Sequence, residues 1–290
     1  MRKDAEEYHR KCLLGNASSE AITLEMADSN LENILARLEQ SDTNTTHFSE
    51  NWTQGRSAFG GISAAFAVTG MRKLLDSTPP LRSLMVSFIA PLPAGQVRVD
   101  SKIQRQGKNV TQCSAEVIAD SVVCLQAMAV FGNPREAFRA PSLIKADPIP
   151  REKGIPFSTH ENSLPRFLQY FEGCWVGGGI PFSGDYKPYL KMWVRHKSKL
   201  TDFPTEKIVT LADIPPPVVL SHFEKPPVPA SSLSWSLEFV VPPESIDCEW
   251  FYLEFEVEAA ADGYTQQSGK IFDESGRLCA LTRQCMAYFG

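Results

Sequence analysis

Two rhythms of apolar and polar positions run along this chain, and each occurs twice. After Gly60 and Gly61, the segment Ile62–Leu75 is rich in alanine and apolar on almost every side. That pattern predicts a helix buried all round. Four runs of strand-like alternation follow, near 82–90, 95–106, 109–119 and 122–131, punctuated by Pro91, Pro93, Gly95, Gly107 and Asp120. They predict an antiparallel meander. The second half has the same order. Thr205–Ser221 is the helical candidate, ended or kinked by Pro215, Pro216 and Pro217, since proline removes a helix donor and clashes with the preceding turn. Strands are then expected near 232–241, 249–259, 263–273 and 278–288, with a turn at Asp273–Gly276. A capped amphipathic helix is expected over 28–41, ahead of the first half.

Residue identities reinforce the repeat. Gln126, Met128, Ala129, Phe131 and Gly132 recur as Gln284, Met286, Ala287, Phe289 and Gly290, at an offset of 158. Upstream, Phe88 and Pro91 recur as Phe239 and Pro242, at an offset of 151. An apolar helix followed by a meander implies a curved sheet wrapped around the helix. The expected fold is therefore α+β, a double hotdog of two antiparallel sheets, each around a central helix. The boundaries read as an N-terminal extension at 1–27, a first hotdog at 28–132, a Pro- and charge-rich linker at 133–163 and a second hotdog at 164–290.

Composition removes several function classes. A net charge of -5 with scattered lysines and arginines leaves no electrostatic footprint for nucleic acid. The N-terminus is charged, and no run of about 18 apolar residues exists to span a membrane. The expected address is the cytosol. Seven cysteines in irregular spacing suggest neither a disulfide framework nor a zinc site, so no metal or cofactor is expected. The five histidines show no metal spacing, and Gly177–Gly179 lacks the context of a dinucleotide loop. No Gly-x-Ser-x-Gly nucleophile elbow is present.

Four patches resemble the type II acyl-CoA thioesterases and their thioesterase-like relatives. They are Trp52–Gly61, ending in Phe59, Gly60 and Gly61; Leu81–Pro91; the hairpin Arg105–Asn109; and Gly276–Gln284. The resemblance covers about residues 30–290 and is carried by the order and spacing of the patches. It implies hydrolysis of an acyl thioester, with a small-molecule acyl-CoA or acyl-carrier substrate and a possible homodimer. It also implies a catalytic set drawn from the second half: Asp213, the hydroxyl at Ser232 (with Ser231 and Ser234 as alternatives) and Gln284.

Each of those residues has chemistry to match. Asp213 is suited to take a proton from water as general base, and Ser232 and Gln284 to hold that water in place. Gly60 and Gly61, at a helix N-terminus, suit an oxyanion or substrate group that must approach backbone N–H groups closely. Trp235 and Gln126 are candidate pocket residues. Lys191 and Arg195 would suit a CoA phosphate or a solvated strand edge equally. Two other readings stand beside hydrolysis: a hotdog cyclase, dehydratase or isomerase acting on a small molecule, and a non-catalytic ligand-binding protein. Fold by itself does not choose among them.

Overall fold

A computed structural model describes residues 30–77, 79–157 and 164–290. The expected N-terminal extension, 1–27, lies outside the described residues. Asn30 caps the first described helix, α1 (Leu31–Gln40), by accepting from the Glu32 N–H at 3.0 Å. At its other end Lys73 Nζ donates to the carbonyls of Leu38 and Ser41 and to Asn44 Oδ1. The amphipathic face expected from sequence buries Leu31, Ile34, Leu35 and Leu38.

The helix predicted from its all-round apolar character is α2 (Gly60–Arg72), in which every residue from Gly61 to Met71 is buried. Its larger apolar side chains, such as Phe66 and Met71, each contribute about 1.5–3 kcal/mol through burial. Strands β1 (Thr45–Phe48), β2 (Thr53–Gln54) and β3 (Ser57–Ala58) lead into it. The first-half strands are β4 (Leu81–Phe88), β5 (Gly95–Gln106), β6 (Val110–Ala119) and β7 (Val122–Gly132); β5, β6 and β7 form the expected meander, β4 lies beside β7 rather than β5, and α2 packs across β5, β6 and β7. In the second half come β8 (Ile155–Pro156), β9 (Phe171–Gly178), β10 (Tyr189–His196) and helix α3 (Pro204–Ala212). A short 3-10 turn at Val218–His222 precedes β11 (Ala230–Phe239), β12 (Phe251–Ala261), β13 (Tyr264–Phe272) and β14 (Leu278–Tyr288). The interruption expected at Pro215–Pro217 separates α3 from the 3-10 turn.

The expectation of two sheets needs correction. The large strands form one 12-stranded sheet in the order β1-β5-β6-β7-β4-β11-β14-β13-β12-β10-β9-β8. β4 and β11 join the halves by pairing antiparallel, with Ser83 opposite Glu238 and Ser87 opposite Ser234. Each half would otherwise leave a strand edge with unpaired backbone groups, and this pairing removes both edges. The segment expected as a linker, 133–163, is not free along its length. Ala146 N–H donates to Gly276 O, and Trp193 Nε1 donates to Ile149 O at 2.7 Å, so its described part is pinned onto the second half at Ala146 and Ile149.

The repeat also needs a correction of register. β4 pairs Leu84 with Ala129, while β11 pairs Trp235 with Gln284. With the Phe88 and Phe239 blocks superimposed, Leu84 corresponds to Trp235, so the counterpart of Gln284 is Ala129. Gln126 lies three residues earlier. In a strand an odd displacement moves a side chain to the other face, and Gln126 is exposed on the outer face, where its Nε2 donates to Glu116 Oε1 at 2.8 Å. The identity between Gln126 and Gln284 is real in sequence and does not place the two residues equivalently.

The two central helices lie antiparallel against each other. Near the start of α3, Glu206 is fully buried and binds Arg72 at 2.8 Å and Thr69 at 3.1 Å, both from α2. Burial pushes the Glu206 carboxyl up, and the Arg72 charge is the largest opposing influence. Removing Arg72 would leave a buried carboxyl without its counter-charge. Arg72→Ala is expected to cost about 3–5 kcal/mol at pH 8, and less at pH 5, because acid favours the uncharged form of a carboxyl that burial already raises. Urea denaturation at the two pH values measures this. A loss within about 0.5 kcal/mol at both, the range of ordinary surface substitutions, would contradict it.

Candidate active site

Asp213 stands directly after the last turn of α3. Pro215 cannot continue the helix, and a proline disfavours helical geometry in the residue before it. The helix therefore stops with Asp213 at its end. The antiparallel packing brings that end to the N-terminus of α2. A methyl group built on Gly60 would lie 2.6 Å from Asp213 Oδ2 and 3.0 Å from the Phe88 ring. One built on Gly61 would meet the Phe59 ring at 2.5 Å and the Thr210 backbone at 3.0 Å. The absence of side chains at both positions is what lets the carboxyl and α3 approach.

From β14, Gln284 Nε2 donates to Asp213 Oδ1 at 2.7 Å. The Asp213 carboxyl is densely enclosed by protein, although the residue keeps a solvent-accessible edge. Its pKa is pushed up to about 7 by burial, against the Gln284 donor and the Gly61 N–H, which favour the charged form. The N-terminal end of a helix also favours negative charge. Desolvation outweighs these influences, so this carboxyl changes charge near neutral pH.

The other expected residues fall into place unequally. Trp235 is buried directly across from Gln284, and its indole N–H donates to Thr282 Oγ1 at 2.6 Å. Ser232 pairs with Met286, which is buried on the same face as Gln284, so Ser232 shares that face one strand away. Ser231 and Ser234 are exposed and pair with Ala287 and Cys285, on the opposite parity of β14. Of the three serines, Ser232 alone is on the Gln284 side of the sheet. The Gly61 N–H is turned on Asp213, and the α-carbon of Gly60 faces Asp213 Oδ2 and the Phe88 ring.

Gln126 is not brought to this site. It lines a groove of about 580 Å³ on the outer face, together with Met85, Lys102, Glu116 and Met128. Lys191 binds Glu254 at 2.7 Å, and Arg195 binds Glu172 and Glu249, each at 2.7 Å. These cations are engaged in ion pairs along the strands. Trp175 and Trp193 are buried.

Sequence reasoning missed Gln267 on β13. It is fully buried, and its Nε2 donates to Gln284 Oε1 at 3.1 Å. Both rows of this strand carry polar residues, with Gln266 and Ser268 alternating against Thr265 and Gln267. Alternation therefore could not tell which glutamine faces inward. The usable signal is the pairing of Gln267 with Gln284 across the hairpin.

In overall form the chain matches the hotdog proteins. It is similar to a hotdog-fold protein of unknown function from Alicyclobacillus acidocaldarius, at 19% identity and a TM-score of 0.75, over 85% of this chain and 92% of that one. It is similar to the tesB protein of Mycobacterium avium subs paratuberculosis at 17% identity and a TM-score of 0.69, over 90% of this chain and 100% of that one. A third similar structure is acyl-CoA thioesterase II TesB2 from Mycobacterium marinum, at 17% identity and a TM-score of 0.64, over 88% and 96% of the respective chains. Residues 48–132 match the acyl-CoA thioesterase N-terminal domain, and residues 145–288 match the acyl-CoA thioesterase C-terminal domain. The chain belongs to the acyl-CoA thioesterase family. No curated protein sequence matches it.

The docking of Asp213 on Gly60 has a direct test. Alanine in place of glycine within a helix normally stabilises by about 0.5–1 kcal/mol. Here the added methyl meets Asp213 Oδ2 and Phe88, so Gly60→Ala is expected to destabilise by about 1–3 kcal/mol. Urea denaturation decides the sign, and a gain in stability would contradict the packing described.

Proposed function

We propose that this protein hydrolyses acyl thioesters, with CoA or an acyl-carrier protein as the thiol, using Asp213 as general base. The observation that carries this reading is the Asp213 carboxyl itself. It is enclosed, poised near pH 7, and gripped by Gln284 beside a helix N-terminus. A general base works best when its pKa lies close to the working pH.

In the proposed reaction a water molecule sits beside Oδ2 of Asp213, the oxygen that Gln284 does not hold. Asp213 takes a proton from it as the water oxygen attacks the thioester carbonyl carbon. The second N–H of the Gln284 amide and the hydroxyl of Ser232 orient that water. Charge developing on the carbonyl oxygen falls near the first turn of α2, whose leading N–H groups have no acceptor within the helix. Gly60 is the donor proposed there. The C–S bond then breaks, the acid departs, and the proton on Asp213 returns to the thiolate. The second half supplies the base and its holder and the first half supplies the helix terminus, so neither half is complete alone.

Thiol release from short-, medium- and long-chain acyl-CoAs tests the reading. Asp213→Asn and Gln284→Ala are each expected to lower kcat by about 10²–10⁴-fold. Because the base works only when ionised, kcat should rise with pH to a plateau, with its half-maximum near 7. Absence of thiol release across the whole panel would overturn the proposal, and so would full activity in Asp213→Asn.

A further inference from the structure

We propose that Gln267 is a positioning residue that sets which end of the Gln284 amide faces Asp213. The inference rests on the reading of Asp213 as the base. The two ends of a glutamine amide are nearly alike in shape, and only the hydrogen bonds around it decide its orientation. Turned one way, Gln284 offers an N–H to Asp213 and favours the carboxylate. Turned the other way, it offers a carbonyl oxygen, which only the protonated acid can satisfy. The choice must be made at the far end of the amide.

That far end meets Gln267. Gln284 Oε1 accepts from Gln267 Nε2 at 3.1 Å, and Gln267 Oε1 accepts from the backbone N–H of Val218 at 3.1 Å. Gln267 by itself could turn over as readily as Gln284. The Val218 N–H cannot, because a backbone amide is only ever a donor. It also has no helical acceptor, since Val218 opens the 3-10 turn. Pro215, Pro216 and Pro217 have no N–H, so Val218 is the first donor after Ile214. The direction therefore passes from Val218 through Gln267 and Gln284 to Asp213, each group donating to the next. Val218, Gln267 and Gln284 are 1%, 0% and 3% exposed, so bulk water cannot substitute for a lost partner.

Among the described residues, the groups that face Asp213 are otherwise uncharged. β14 presents Gln284, α2 presents Gly60 and Gly61, and the end of β4 presents the Phe88 ring. On its own helix, Thr210 is bonded by buried His196 of β10 at 2.8 Å, and Glu206 is turned toward Arg72 and Thr69. With no counter-charge against the carboxyl among the described residues, hydrogen bonds from the Gln284 amide and the Gly61 N–H favour its charged form, and of these two donors only the amide can be reversed.

Two measurements test the proposal. The first uses the unaltered chain without substrate. Side-chain amide NMR signals of Gln284 and Gln267 are followed across pH 5 to 9. Both are expected to shift with one common midpoint as Asp213 ionises, and a Gln267 signal indifferent to that ionisation would overturn the inference. The second is a double-mutant cycle in kcat with Gln267→Met and Gln284→Met. Gln267→Met should lower kcat at pH 7 about tenfold, the rate equivalent of one hydrogen bond to a charged group, and move the acid limb to higher pH. The double variant should fall no further than Gln284→Met alone. Losses that multiply, with an unmoved acid limb, would mean that Gln267 acts only on packing. If Gln267→Met does not fold, the NMR measurement decides alone. Amides that titrate together in a chain releasing no thiol would uphold the relay and refute the hydrolase.

Discussion

The arrangement depends on one contact, the carboxyl of Asp213 resting on the N-terminus of α2. It requires Gly60 to lack a side chain, because a methyl there would stand 2.6 Å from Oδ2. It requires α3 to end where it does, which the prolines after Ile214 enforce. It requires the two halves to be held in one register, which the β4–β11 pairing supplies. Desolvation and the lack of a counter-charge then move the carboxyl to about 7. A surface aspartate with the same neighbours would stay ionised at every physiological pH.

Duplication explains the architecture, and loss of symmetry explains the site. Phe59 before α2 and Phe203 before α3 accept equivalent first-turn hydrogen bonds, from Ser63 and Lys207. Counted from them, Thr69 is the counterpart of Asp213. At the α2 terminus the carboxyl comes across from the other helix. At the α3 terminus it belongs to Glu206 of the same helix, with Thr69 and Arg72 facing it. Ala129 stands where Gln284 would be needed. One end of the helix pair is thus an ion-paired clasp, and the other holds a carboxyl with no counter-ion among the described residues, so the proposed site has no second copy at the clasp end.

Much of this was legible in the sequence. The all-round apolar stretch, the paired meanders and the helix stop at Pro215 are local patterns, and local physics forms them. Asp213 and Gln284 were accessible through the family resemblance, because helix end and last strand are positions that spacing can define. The face of Gln126 was not accessible. A repeat in identity carries no record of strand parity, and three residues of slippage turned that side chain outward. The joined sheet was hidden because β4 and β11 look the same whether they end two sheets or bridge one. Gln267 and the Arg72–Glu206 pair depend on groups far apart in the chain meeting in three dimensions, which alternation and propensity do not encode.

The proposed chemistry depends on the charge state of one side chain. The direct measurement is a ¹³C NMR titration of the Asp213 carboxyl carbon, identified by its disappearance in Asp213→Asn. A midpoint near 7 is the predicted result. A midpoint near the ordinary aspartate value of about 4 would show a solvated carboxylate and contradict the central claim.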